Sequence, residues 1–417
     1  MILVSLLLVI LAILGAPLFA IIATSAMVGF YNNETEMMTI ALELMSIAQM
    51  PVLTAIPLFT FAGYLLSESK APQRLVRLTS AMFGWMPGGL ALVCLAACAI
   101  FTAFTGASGV TIIALGAILD PALKQDGYGD RFNLGLVTWS GSLGLLFAPS
   151  LPIILYGVVA KVSIDDLFSA GILPGLLMLI MLGGYSIWVN RENRKPLSAF
   201  SWREVAEALR EAIWELPLPF VVLGGIYSGF FAVSEAAAIT ALYVFIAEVL
   251  IYREIAIRDL PRVIRDAMVL VGAILMILGV SLASTYYMID AEVPQKLLAF
   301  VAELVSSPTS FLILLLLFLL VLGAILDIFS AIVLVVPLIL PIADGFGVDM
   351  VHLGIVFLAA MQLGYLTPPV GLNLFIASYR FEKPIMHVYS ATFPFLVILM
   401  LSVILITFWP TLSLLFV

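Results

Sequence analysis

Two long apolar stretches, 88–123 and 310–342, break off in mid-run: the first at Thr105-Gly106-Ala107-Ser108-Gly109, the second at Asp327-Ile328-Phe329-Ser330. Each half holds about 12 to 17 residues, short of the roughly 20 that a helix needs to cross the hydrocarbon core. Backbone polar groups in hydrocarbon must be bonded internally, so an interruption at that depth persists only where protein covers it or it lines a cavity. The pattern predicts two re-entrant helical hairpins with tips buried in protein.

Lipid is the solvent such hairpins require, and the composition agrees. The chain is 63% hydrophobic and 11% charged, with a mean hydropathy of +1.20, which no water-exposed globular surface tolerates. The alternation of a membrane β-barrel is absent, so the expected class is an all-α polytopic membrane protein. Further spans are expected near 3–30, 47–67, 131–160, 167–189, 213–229, 232–252, 266–288, 350–378 and 386–416. Residues 1–30 lack a basic leader and a small-residue cleavage site, and read as a first transmembrane helix instead of a removed signal. Segments 196–215 and 253–266 mix Trp, Leu and Ile with Arg and Glu, as short amphipathic helices on the membrane surface do; an ordinary solvated loop accounts for the second equally well.

With the N-terminus in the cytoplasm, 16 of the 18 Lys and Arg residues fall on the inner side and only Lys161 and Lys296 outside. That bias fixes the expected orientation and puts the C-terminus outside. No basic tail or stripe addresses nucleic acid. Cys94 and Cys98 share a helix face and cannot close a loop. His352 and His387 fall on opposite sides of the membrane, so no metal cluster or hydrolytic site is expected, and no enzyme activity or cofactor.

Sliding the chain by 220 residues superposes Pro121 on Pro341, Gly127 on Gly347, Gly144 on Gly364, Pro149 on Pro369 and Pro174 on Pro394. Each copy runs hairpin, proline-broken span (Pro149 and Pro152; Pro368 and Pro369), further span. Five spans separate the hairpins, an odd number, so the copies have opposite orientations. Inverted repeats with broken helices are a construction of secondary transporters, with sites near the midplane where the breaks face each other.

At the first tip, Thr105, Gly106, Ser108 and Gly109 combine hydroxyls with glycines that let the chain turn. The amides opening the second half-helix attract an anion, and the carbonyls closing the first attract a cation. Ser140-Gly141-Ser142 and Ala148-Pro149-Ser150 loosen the following span and present the hard oxygens that suit sodium. Close helix packing is the plainer role for the same small residues. Asp327 is an acid between two apolar runs, a costly placement that points to ion or substrate binding, or to capping of the second half-helix. Thr367-Pro368-Pro369, Gly371 and Asn373 form the matching break. Asn133 is placed to reach a polar cavity or, more plainly, to make an interhelical bond, and Asp120 is expected to be solvated.

The run from Phe104 to Tyr156, with T-G-A-S-G, G-Y-G-D and G-S-L-G-L-L-F-A-P-S, and the run from Gly323 to Ser378, with G-A-I-L-D, V-P-L-I-L-P and G-Y-L-T-P-P-V-G-L-N-L-F, resemble the two signature regions of the large membrane subunit of TRAP (tripartite ATP-independent periplasmic) transporters. The resemblance implies an elevator mechanism in a bacterial inner membrane, sodium as coupling ion, a small membrane subunit on a separate chain, and a periplasmic binding protein delivering a small organic anion, a carboxylate or sulfonate. It implies a transport domain of 88–160 and 310–378 against a scaffold of 1–87 and 161–309, with 379–417 as a C-terminal helix. Carried over by position, one sodium site falls on Thr105, Gly106, Ser108, Ser140, Gly141, Gly144 and Pro149, and a second on Gly323, Asp327, Ser330, Gly364, Thr367 and Pro368. Substrate then meets Thr105, Ser108, Ser142, Asp327 and Asn373. One departure is Ala148-Pro149 where the family often has two adjacent prolines. A self-sufficient sodium- or proton-coupled anion transporter of the same superfamily, and an ion channel, stand as rival expectations.

Overall fold

The 220-residue repeat recurs in the backbone almost residue for residue. In a computed structural model the chain is described over residues 7–8, 10–11, 14, 16–32, 37–47, 49–86, 88–191, 200–305, 307–368 and 370–417, and these are helical with no strand among them. The first hairpin comprises α5 (Gly89–Thr105), α6 (Ser108–Ala114) and α7 (Gly116–Gln125); the second comprises α16 (Pro308–Gly323) and α17 (Ile328–Gly345). The second arms start at Ser108 and Ile328 and end at Gln125 and Gly345, both 220 apart. Gly127 and Gly347 each follow in the left-handed region, at φ 83 and 71, a conformation that glycine adopts without penalty.

The broken spans come next. One is α8 (Asp130–Ser140), a 3-10 turn (Leu143–Leu146) and α9 (Leu151–Ala160), bent by 42°. The other is α18 (Met350–Gly364) and α19 (Leu372–Arg380). Pro152 sits at the start of α9, where its missing N–H costs nothing. Pro369 lies outside the described residues. Long apolar helices α10 (Ile164–Val189) and α20 (Ile385–Phe408) close the copies, each with an internal proline at repeat-matched Pro174 and Pro394. The second half of each broken span lies on the hairpin of the other copy, α9 on α17 and α19 on α6. This exchange knits the repeats into one body, with α10 and α20 packed against it and each other.

The repeat extends further upstream than the matched Gly and Pro residues indicate. Helices α3 (Ala55–Glu68) and α4 (Ala71–Phe83) correspond to the end of α14 (Leu260–Asp290) and to α15 (Val293–Leu304). Neither α4 nor α15 is among the expected elements. With charged and polar residues interleaved among the apolar ones, both lack a continuous apolar run. A second group of helices, α1 (Leu18–Asn32), α2 (Met38–Ile47) and α3 with α12 (Pro217–Tyr227), α13 (Val233–Phe245) and α14, packs beside the knitted body. The first expected span falls partly outside the described residues; its described part is α1.

The expected surface helix at 196–215 is α11 (Trp202–Glu211), docked on α4 through Leu78, Ala208 and Ala212. The one expected at 253–266 is not a separate helix. A 3-10 turn at Ile257–Asp259 leads into α14, whose 31 residues span about 46 Å at 1.5 Å each. Arg74 ties α4 to this group, donating from Nε to Glu215 (2.5 Å), Nη1 to Glu254 (2.7 Å) and Nη2 to Glu248 (3.0 Å), with its guanidinium 4.0 Å from the Tyr252 ring centre. Glu248 is fully buried and stands in a π-helical turn, Ile246–Ile251, a distortion that re-aims side chains at the end of a helix.

Candidate functional site

Both hairpin tips lie against the breaks in the spans, the first buried in the body and the second half-buried, with Ile325 exposed. At the first tip Gly106 is left-handed (φ 64) and its N–H donates to Thr102 O at 2.8 Å, closing α5. A Cβ on Gly106 would lie 2.6 Å from Leu151 Cγ at the start of α9. Thr102 Oγ1 donates to Gly141 O at 2.9 Å and lies 2.6 Å from Thr111 Oγ1, so one hydroxyl pair fastens both arms of the hairpin to the first break. Cβ atoms on Gly141 and Gly144 would come within 2.5 Å of Ile112 Cγ1 and 2.3 Å of Ala99 O. The glycines are thus required by close approach, the packing role weighed for them from sequence. The last carbonyls of α5, through Thr105, lie beyond any following helical amide. Of these, Thr102 O is taken by the Gly106 N–H.

The second tip is held differently. A Cβ on Gly364 would lie 2.5 Å from Gly323 Cα, so α16 and α18 touch backbone to backbone at the place that matches Gly144 in the first copy. Gly371 (φ 50) donates its N–H to Ala324 O at 3.0 Å, and the Ile328 N–H donates to the Tyr365 hydroxyl. Asp327 is the N-cap of α17: Oδ1 accepts from Ser330 N at 3.0 Å and Oδ2 from Ser330 Oγ at 2.5 Å. Of the roles open to Asp327 in sequence, capping is the one visible here; both oxygens retain further acceptor capacity.

Across the repeats, Ser108 Oγ donates to Asn373 Oδ1 at 2.9 Å, joining the first tip to the opening turn of α19. Expected site residues 265 apart in sequence therefore meet directly. Ser142 Oγ donates to Trp139 O and Ser140 Oγ to Val137 O, both at 3.1 Å within their own turns. Ala148–Pro149 is a cis peptide, next to Ser150, whose hydroxyl is buried without a partner. Thr367 Oγ1 returns to Leu363 O at 3.0 Å and Pro368 is exposed, so these two stand on the outer side of their break. Asn133 does not bond another helix as expected: its Nδ2 reaches Tyr128 O, at 3.4 Å, in the preceding loop.

Among the described residues seven buried side chains keep polar atoms without a partner: Thr105 Oγ1, Asn133 Oδ1, Ser150 Oγ, Thr285 Oγ1, Asn373 Nδ2, His387 Nε2 and both amide atoms of Gln362, the last being the one with donor and acceptor both unmet. Buried polar atoms are bonded in the great majority of cases, so each exception calls for an explanation. Gln362 is absent from the residues singled out in sequence, though the 220-residue offset that pairs Gly144 with Gly364 also pairs Ser142 with Gln362. Among the described residues no group of three His, Cys, Asp or Glu is placed to hold a metal, and the two cysteines are free and buried. Besides the Asp327 carboxylate, the meeting of tips and breaks brings together neutral hydroxyls, carboxamides and backbone oxygens.

Paired hairpins meeting paired breaks inside a helical membrane body define a transport protein. The family model described as "Tripartite ATP-independent periplasmic transporter, DctM component" matches residues 2–412. The chain is 33% identical over 377 residues to the C4-dicarboxylate TRAP transporter large permease protein DctM of Pseudomonas aeruginosa, covering 90% of this chain and 88% of that one. It is 31% identical over 408 residues to the ectoine TRAP transporter large permease protein TeaC of Halomonas elongata, covering 97% and 96%. It is 34% identical over 364 residues to the isethionate TRAP transporter permease protein DctMQ of Oleidesulfovibrio alaskensis, covering 87% of this chain and 57% of that one. The solved structure of the Alcanivorax borkumensis YdaH transporter superposes with a TM-score of 0.60 at 13% identity, over 89% of this chain and 87% of that one, which speaks to fold alone. The chain belongs to the DctM component family of TRAP transporters: it is a large permease subunit, a multi-pass inner-membrane protein and not an enzyme.

Proposed function

We propose that this subunit imports a small organic anion, a carboxylate or sulfonate, together with sodium, after a periplasmic binding protein delivers it, and that it works with a small membrane subunit. The observation that carries this reading is the convergence of both tips and both breaks through Thr102–Gly141, Ser108–Asn373 and Gly371–Ala324. It places unpartnered Thr105, Ser150 and Asn373 groups in the interior of the body. Relatives named for C4-dicarboxylates and isethionate support the anion class. The 57% coverage of the DctMQ protein fits a relative that carries an additional segment, and supports a second membrane component in the assembly. We place sodium at the first break, around Thr105, Gly106, Ser108, Ser140, Gly141, Gly144 and Pro149. A second site lies around Gly323, Asp327, Ser330, Gly364, Thr367 and Pro368.

The moving unit in this reading is the knitted body, with α10 and α20 carried along because they pack on it. The static unit is the group built on α1–α3 and α12–α14. An apolar cleft of about 510 Å³ between α4, α5, α10 and α12, lined by Phe101, Phe104, Leu176 and Leu223, supports displacement of one group past the other. The cytoplasmic N-terminus follows from the distribution of Lys and Arg.

Uptake into proteoliposomes tests the proposal. With binding protein, small subunit and an inward sodium gradient, labelled succinate or isethionate accumulates. Equal uptake without the gradient removes sodium coupling, and equal uptake by this chain alone removes the three-part assembly.

A further inference from the structure

We propose that Gln362 is a substrate-contacting side chain, donating its amide hydrogens to the transported anion from the second repeat as Ser142 faces it from the first. The inference rests on the reading of this body as an organic-anion carrier and names a group that the sequence motifs leave out.

Every residue of α18 from Val351 to Gly364 is buried. Within it the polar side chains are His352 and Gln362. His352 is accounted for, since its ring nitrogens lie 3.2 Å from Ser413 Oγ and 3.2 Å from Thr407 O. Gln362 is 1% exposed and neither its oxygen nor its nitrogen meets a protein partner. A carboxamide carries two donors and an acceptor with two lone pairs, so this is the largest unmet hydrogen-bonding capacity in the body.

Its direction follows from the helix. Gly364 faces α16, its would-be Cβ 2.5 Å from Gly323 Cα. Residues two apart on an α-helix point to nearly opposite sides, which turns Gln362 away from its own hairpin. The Leu143–Leu146 turn, which directly follows Ser142, also packs on α18. Gln362 is thus turned away from α16, on a helix that also meets the first break, at the position that matches Ser142 across the internal repeat. Among the described residues of the hairpins and broken spans no Lys or Arg is buried, and the buried Arg74 of α4 is already paired with Glu215, Glu248 and Glu254. An anion entering there must be held by neutral donors, and the carboxamide supplies two. Asp327, the acidic candidate of the same repeat, has both oxygens engaged by Ser330 and offers an anion no donor.

The test uses the complex of this chain with its small subunit and binding protein in proteoliposomes, with succinate and isethionate as probes and a sodium gradient. For whichever probe the wild type accumulates, Gln362→Leu raises KM about tenfold or more, as loss of a donor to a charged group does. The same variant raises the melting temperature of the probe-free complex, because it removes unpaired polar atoms from an apolar setting. Gln362→Glu, equal in size, stops uptake at neutral pH. A Gln362→Leu complex with unchanged KM overturns the inference and leaves the transport reading standing. Should the Leu variant fail to assemble, Gln362→Asn decides by the same KM criterion. A wild type that accumulates neither probe breaks the transport reading, and this inference with it.

Discussion

The two hairpin tips share a backbone plan and differ in what holds them. The first reaches across the repeat: Ser108 bonds Asn373 of the other copy, and Thr105 keeps a buried hydroxyl free. The second is sealed within its own copy, by the Asp327–Ser330 cap, the Ile328–Tyr365 bond and the Gly371–Ala324 bond. Duplication thus preserved the close backbone contacts at Gly144 and Gly364 while the polar chemistry diverged. Where two repeats must assemble one site from opposite sides, symmetric packing secures the geometry. The side chains differ: hydroxyls and a carboxamide at the first tip, an acid at the second.

The strongest way to break this comparison is to attack the part the tips have in common. Gly364→Val pushes a Cβ to 2.5 Å from Gly323 Cα, and Gly144→Val to 2.3 Å from Ala99 O. Backbone cannot yield as a flexible side chain does, so each exceeds the usual overpacking range of about 1–3 kcal/mol. Both variants are expected to lose the monodisperse peak in size-exclusion chromatography. A tolerated variant at one site alone shows that the packing symmetry is only apparent.

Gly106→Ala tests the first tip by itself. The left-handed φ of 64 costs an alanine about 1–2 kcal/mol, and the new methyl meets Leu151 Cγ at 2.6 Å. A fall in melting temperature is expected. Gly106→Ala with Leu151→Ala should recover the steric part and leave the backbone part. The matching position of the second tip, Leu326, carries a full side chain, so Leu326→Ala is expected to cost less than Gly106→Ala in the same assay.

The hairpins were legible because glycines and an acid interrupt runs that lipid would otherwise keep apolar, and the repeat because proline and glycine hold their places for backbone reasons. Helices α4 and α15 were not, since Arg74, Arg77 and Lys296 break the hydropathy that a span would show. The Asp-x-x-Ser pattern at 327–330 did carry its capping role in plain view. The Ser108–Asn373 bond did not, because nothing local relates two residues that a long fold brings together. Gln362 was hidden for a simpler reason. One polar residue in an apolar run does not interrupt it, and only the repeat offset from Ser142 marks the position.

Ser108→Ala sharpens the contrast from the other side. It removes the bond between the copies and leaves Asn373 Oδ1 without its donor, an expected loss of about 1 kcal/mol. Because Asn373 Nδ2 already lacks a partner, uptake should fall further than stability, on the order of tenfold in kcat/KM if the carboxamide loses its orientation. Wild-type uptake in a folded Ser108→Ala complex reduces the pair to packing.

Asp327→Asn has the smallest expected effect on stability and separates the two roles of the acid. Asparagine caps a helix as well as aspartate, and its oxygen can still accept from Ser330 N, so stability should stay within about 0.5 kcal/mol of wild type and the melting temperature should barely move. The charge is lost, however, and with it the attraction for a cation at that tip. If sodium binds there, the sodium concentration for half-maximal uptake rises while the melting temperature holds. An unchanged sodium dependence makes Asp327 a cap and nothing more, and leaves the first tip as the side of the body on which ion binding has to be sought.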